Sequence, residues 1–189
     1  MGKIVVSEFV SLDGVMEDPG GAEGTKHGGW TFQFGSPEQE QWKFDELFKA
    51  DALLLGRKTY EGFAAAWPTM PGTGAYGERI NSMPKYVAST TLTEPTWNAS
   101  VLQGDLADAL AQVKQEINQD ILVFGSGQLV DTLTTRGLVD EYRLMIFPVV
   151  LGGGKRLFPE GDEKKTLKLV ESTPFASGVV VLTYQLATE

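Results

Sequence analysis

Hydrophobic and polar positions along this chain follow two alternating rhythms. Lys3 to Val10 is rich in β-branched and apolar residues and ends before Asp13-Gly14, which predicts an opening strand and a turn. Ala52-Leu53-Leu54-Leu55 and Ile121-Leu122-Val123-Phe124 are short, unbroken apolar runs. Runs of that length suit central strands covered on both faces. Helical spacing fills the gaps. Ser36-Pro37-Glu38-Gln39 has the form of a helix start, with Ser36 as N-cap, Pro37 in the first position and Gln39 closing a capping box. This helix is expected to reach about Lys49, with Phe44, Leu47 and Phe48 as its apolar stripe. A second helix is expected over Thr59–Ala66, stopped by Trp67-Pro68, and Lys85–Ser89 reads as a strand. Asp105–Asn118 carries Leu106, Leu110, Val113 and Ile117 along one helical face, and a further helix opens at Gly125-Ser126-Gly127 and closes at Gly137. Beyond it the rhythm changes to strands alone, Glu141–Val150, Thr166–Glu171 and Val179–Leu186. The predicted class is α/β: three layers, with a mixed, mostly parallel central sheet and antiparallel C-terminal strands. One domain is expected to span residues 1–189.

Charge and composition narrow the chemistry. Against 25 acidic residues stand 16 Lys and Arg, a net charge of −9. That balance argues against nucleic acid and anionic membrane as partners, so an anionic ligand needs a local site. The absence of cysteine excludes disulfides, thiolate zinc sites, iron–sulfur clusters and a cysteine nucleophile. The single histidine, His27, and scattered carboxylates give no metal cluster by spacing, and His27 reads as a loop residue. Nothing approaches the roughly 20 consecutive apolar residues of a membrane span, and Glu8 interrupts the N-terminal apolar run, so a cytoplasmic protein is expected.

Two segments share one design, a buried strand, a glycine and a helix: Leu53-Leu54-Leu55-Gly56-Arg57-Lys58-Thr59 and Leu122-Val123-Phe124-Gly125-Ser126-Gly127-Gln128. Helix N-termini at the carboxyl edge of a parallel sheet offer free N–H groups and partial positive charge to phosphates. Arg57 and Lys58 add full charges. Neither a Walker phosphate loop nor the ordinary Rossmann glycine spacing is present. The glycine-rich stretch from Asp18 to Gly35 is too long for a simple connector.

The ordered series Gly56-Arg57-Lys58-Thr59, Lys85-Tyr86-Val87-Ala88-Ser89-Thr90 and Val123-Phe124-Gly125-Ser126-Gly127, preceded by Ser11-Leu12-Asp13-Gly14-Val15-Met16, resembles dihydrofolate reductase. Pro148-Val149-Val150-Leu151-Gly152-Gly153-Gly154-Lys155-Arg156-Leu157-Phe158 is more closely similar to the reductase domain of the bacterial riboflavin-biosynthesis deaminase-reductase and its stand-alone relatives. The resemblance implies NADPH as cofactor. Gly56, Arg57, Lys58 and Thr59 would meet phosphates, Ser89 and Thr90 would sit by the adenosine ribose phosphate, and Gly125, Ser126, Gly127, Gln128 and Leu129 would wrap the pyrophosphate. The nicotinamide would lie along Phe9–Met16, with Phe9, Asp13, Met16, Trp30 and Trp42 around the substrate. Counting back from Gly56, the acidic residue of the first helix falls on Glu40, with Glu38 and Asp45 as neighbours. Lys155 and Arg156 could hold a substrate phosphate, although a solvated hairpin tip is the simpler reading. A cis peptide between Gly125 and Ser126 is carried over from the family's glycine pair. The apolar run Leu144–Leu151, read as an uncovered edge, predicts a homodimer, as the resemblance also does. The activity implied is hydride transfer from NADPH to a small planar heterocycle or a carbonyl or imine compound. The alternative is a dimeric protein of the same fold that binds a nucleotide or small ligand without turnover.

Overall fold

The computed structural model describes residues 1–161 and 163–187. Its eight strands are β1 (Lys3–Ser11), β2 (Ala50–Gly56), β3 (Lys85–Ala88), β4 (Ala99–Val101), β5 (Asp120–Val123), β6 (Glu141–Phe147), β7 (Leu167–Pro174) and β8 (Val180–Leu186). They form one sheet in the order β4-β3-β2-β5-β1-β6-β8-β7. Strands β4 to β6 of that row run parallel, and β8 and β7 are antiparallel. The helices are α1 (Pro37–Phe48), α2 (Arg57–Ala66), α3 (Gly74–Ser82), α4 (Leu106–Glu116) and α5 (Gly127–Thr135).

The apolar runs explain the three layers. Along β2, Ala52 and Leu54 pack with Leu110, Val113, Leu129 and Leu133 of α4 and α5, whereas Leu53 and Leu55 pack with Leu47, Tyr60 and Ile80 of α1, α2 and α3. A strand that must feed two cores has no polar side to show. Over the sheet's other end, Trp30, Met145, Phe147, Val179 and Val181 form a third cluster, against which Phe9, Phe34 and Trp42 pack.

Local signals set the helix ends. Ser36 accepts the Gln39 N–H at 3.3 Å, but the return half of the expected capping box is absent, because Gln39 Oε1 accepts from Ser177 Oγ at 2.6 Å. Asp105 caps α4 by accepting from the Ala107 N–H at 2.8 Å. Gly137, at φ 67°, ends α5 in a Schellman motif: its N–H meets the Thr134 carbonyl and the Leu138 N–H meets that of Leu133.

Two expectations are corrected here. In α1, Leu47 is buried, but Phe48 is exposed and stacks on Phe44 at 4.2 Å between ring centroids; the inward face carries Gln39 and Glu46 instead. The run beginning at Leu144 is not an uncovered edge, because β6 lies between β1 and β8. The sheet ends instead at β4 and β7, and Leu169 and Val170 of β7 are exposed.

Lys85, at the start of β3, is almost wholly buried; its ammonium donates to the Asn81 carbonyl at 2.8 Å and lies 3.9 Å from the Trp97 ring centroid. Burial pulls it down from 10.5 to about 8. Between those values the unfolded chain binds the proton that the folded one has released, so this residue makes stability rise with pH from about 8 towards 10.5. Urea unfolding across that window is expected to show the rise in the native protein and a smaller one in Lys85→Met; equal slopes would contradict it.

Candidate functional site

The carboxyl ends of β2 and β5 lie side by side, and the two glycine turns that follow them are bonded to each other. The Gly56 N–H donates to Ser126 Oγ at 2.9 Å, and the Ser126 N–H donates to Thr59 Oγ1 at 2.9 Å. Ser126 Oγ in turn donates to the Phe124 carbonyl at 2.9 Å. A glycine at position 126 could keep the bond to Thr59 but neither of the two made through Ser126 Oγ. Gly56 and Ser126 are the N-caps of α2 and α5, and neither helix start receives a side-chain cap. The first-turn N–H groups of both helices are therefore left without side-chain acceptors, at neighbouring positions on the carboxyl edge of the sheet.

The peptide between Gly125 and Ser126 is trans, which corrects the expected cis bond. Two consecutive left-handed residues, Gly125 at φ 53° and Ser126 at φ 57°, turn the chain instead. The approach around them is tight. A Cβ on Gly125 would stand 3.0 Å from Thr59 Oγ1 and one on Gly127 3.2 Å from Met16 Sδ, whereas one on Gly56 would make only ordinary contact, 3.5 Å from Ser126 Cβ. Gln128 is exposed on the first turn of α5, and Lys58 is exposed beside Arg57. The Arg57 guanidinium stands 3.6 Å from Glu61, with nearly half of its side chain open to solvent. Farther along the same sheet edge, Ser89 and Thr90 line a cleft of about 620 Å³ with Thr93, Leu102 and Gln103. Ser89 Oγ already accepts the Thr91 and Leu92 N–H groups at 3.2 and 3.0 Å.

The residues expected around a substrate separate into three settings. Met16 is buried beneath Gly127. Phe9 and Trp30 meet Phe147 edge-on at 5.5 and 5.4 Å, and Trp42 packs against the same cluster. Asp13 is a structural clamp: its carboxylate accepts from Ser11 Oγ at 2.6 Å and from the Leu151 and Gly152 N–H groups at 3.1 and 2.8 Å. Those bonds lower its pKa to about 2, the Ser11 hydroxyl contributing most. They hold the three-glycine segment against the turn after β1. Between them lies a cleft of about 360 Å³, lined by Val15, Glu17, His27, Trp30, Leu151 and Gly153. The glycine-rich stretch that closes its other side is built on Asp18, which accepts from the Glu23 and Thr25 N–H groups and the Thr25 hydroxyl, each at 2.9 Å. A Cβ at Gly28 would fall inside that carboxylate. His27, Lys155 and Arg156 are exposed, and Lys155 stands 3.9 Å from Glu17.

Glu40, Glu38 and Asp45 are all exposed, so the candidate acid from the first helix is displaced. The carboxylate that α1 turns inward is Glu46, which accepts from Ser7 Oγ at 2.9 Å and pairs with Lys43. Glu46 Oε1 also stands 3.6 Å from Arg143, whose other nitrogens hold Asp120 and Glu141, each at 2.7 Å. A polar seam thus crosses the sheet between the second and third apolar clusters. On the opposite face of β1 lies Glu8, buried, with Oε1 unpartnered. Burial raises its carboxyl well above the usual range, against the opposing pull of the Gly125 N–H and Lys43, and favours the neutral acid. Lys43, Glu46, Arg143 and Glu8 all escaped the sequence reading, which took Glu8 only as the charge that interrupts the N-terminal apolar run; the available signal was a carboxylate within a strand otherwise rich in apolar residues.

The chain matches the family model described as the RibD C-terminal domain over residues 2–181. It is 31% identical over 185 residues to the uncharacterized protein YyaP of Bacillus subtilis, covering 96% of this chain and 94% of that one. Among solved structures, a Shewanella sp. PV-4 protein assigned to riboflavin biosynthesis superposes with a TM-score of 0.78 at 24% identity, covering 98% of this chain and 99% of that one. Dihydrofolate reductase from Enterococcus faecalis, complexed with NADP(H), superposes with a TM-score of 0.63 at 15% identity, covering 99% and 98%.

Proposed function

The chain belongs to the RibD C-terminal domain family, and from that premise we propose that it is an NADPH-dependent reductase acting on a small planar heterocycle or a carbonyl or imine compound. The observation that carries this reading is the pair of bonded glycine turns, which brings two uncapped helix starts side by side. That donor set suits a pyrophosphate: backbone N–H groups, a cationic Arg57-Lys58 flank, and glycines at 125 and 127 whose places leave no room for a side chain against Thr59 and Met16. The Enterococcus reductase of the same fold is itself complexed with NADP(H), which supports the choice of cofactor.

When bound, NADPH supplies the hydride. The chain's part is to hold and to shield. Gly56 to Thr59 and Gly125 to Leu129 take the phosphates, and the cleft at Ser89 and Thr90 takes the adenosine ribose phosphate. Phe9, Trp30 and Trp42 give the substrate a flat, apolar surface from which water is excluded.

Arg57 tests the phosphate assignment. Because its side chain is half exposed and already near Glu61, solvent screening reduces its contribution. Arg57→Ala is expected to weaken NADPH about tenfold, or about 1.4 kcal/mol. Unchanged affinity would remove Arg57 from the site. Loss of the NADPH absorbance band with a panel of planar carbonyl and imine compounds tests turnover; binding without consumption of cofactor by any of them would count against a reductase.

A further inference from the structure

Lys43 projects from α1 onto the polar seam, above Ser7 in the middle of β1 and beside Phe124, the residue that follows β5. Its ammonium donates to Ser7 Oγ at 2.9 Å and pairs with Glu46 Oε2. The same nitrogen lies 4.5 Å from the ring centroid of Phe124, 5.4 Å from that of Phe9 and 5.8 Å from that of Trp42. An ammonium has three N–H donors, and among the described residues two protein acceptors take up two of them. About a sixth of the side chain remains accessible, although Ser7 and Glu46 beneath it are buried. Phe124 is the residue immediately before the Gly125-Ser126 turn, and Phe9 begins the segment that leads to Met16. A cation with one donor to spare therefore sits among three aromatic rings, close to the Gly125-Ser126 turn.

A purely structural ion pair would need neither the aromatic surround nor the accessible donor. Flat rings favour a planar conjugated ligand by stacking and edge contacts. A charge-assisted N–H favours an oxygen or nitrogen on that ligand that carries or develops negative charge. We propose that Lys43 binds and protonates the heteroatom of a planar carbonyl or imine substrate. This inference rests on the reductase reading and deepens it. In the step assigned to it, hydride from the dihydronicotinamide forms the new C–H bond, and the C=O or C=N π pair moves onto the heteroatom. The Lys43 ammonium supplies the proton of the new O–H or N–H bond. Substrate is reduced, cofactor is oxidised, and the amine recovers its proton from solvent. Glu46 and Ser7 hold the ammonium in position.

Picrate, a planar phenolate, and picramide, its uncharged counterpart, separate this role from a structural one. Calorimetric titration with each, with and without NADP⁺, is expected to give the native protein a preference for picrate of roughly tenfold to a hundredfold. In Lys43→Met that preference is expected to fall to about unity, while NADPH affinity stays within about twofold. Since Lys43→Met leaves Glu46 with one cation fewer and could fail to fold, Lys43→Met/Glu46→Gln removes both charges and is expected to lose the preference equally. A native protein without the preference, or variants that keep it, would overturn the assignment. Failure of NADPH to bind would instead sink the reductase reading, and the picrate comparison without cofactor would still report on Lys43.

Discussion

In a Gly125→Val variant, NADPH binding is expected to weaken by about a hundredfold or more while the rest of the fold persists. The residue is held at φ 53°, where a β-branched side chain is strained. Its Cβ would stand 3.0 Å from Thr59 Oγ1 and 3.2 Å from Thr59 Cγ2. Thr59 cannot yield without breaking the bond that its hydroxyl accepts from the Ser126 N–H. Left-handed strain of about 1–3 kcal/mol adds to about 1 kcal/mol for the lost bond, and both act on the conformation that binds. The sum corresponds to roughly a hundredfold in affinity. Gly153→Ala is the control, since its Cβ meets nothing within 4 Å, and its affinity is expected to match the native value. Equal binding by the two variants would contradict the placement of the cofactor at this turn.

Arg143→Met is expected to be the most damaging single change to stability, at about 3–5 kcal/mol by urea unfolding. Arg143 is mostly buried and touches Asp120, Glu141 and Glu46, so removing it leaves three carboxylates with one local cation, Lys43. The penalty comes from uncompensated buried charge rather than from lost packing, which methionine largely preserves. Arg143→Met/Glu46→Gln is therefore expected to recover part of the loss. A cost below about 1 kcal/mol for the single change, the range of a surface pair, would show that the seam carries little strain.

The sheet was legible because β2 and β5 must be apolar on both sides, and a run such as Leu53-Leu54-Leu55 has few other uses. The two glycine turns were legible for the same reason, since each follows such a strand. Their detailed geometry was not. Whether the chain reverses through an unusual peptide or through two left-handed residues depends on what Ser126 can bond to, and its partners Gly56 and Thr59 lie about seventy residues away. Helix α1 misled the reading in a different way. Its inward positions include Gln39 and Glu46, with Lys43 on the seam, so the buried face looked like a surface, and the conspicuous Phe44 and Phe48 pair off on the outside. Counting from Gly56 consequently selected the exposed Glu40. Helix α3 and strand β4 gave no usable signal, the first because Gly74 and Gly77 lower helical propensity, the second because it is only three residues long.

The most direct test of the account is a calorimetric titration of the native protein with NADPH. One saturable site per chain is predicted, with an affinity that falls in Gly125→Val and is unchanged in Gly153→Ala; a native protein that takes up no NADPH would contradict it.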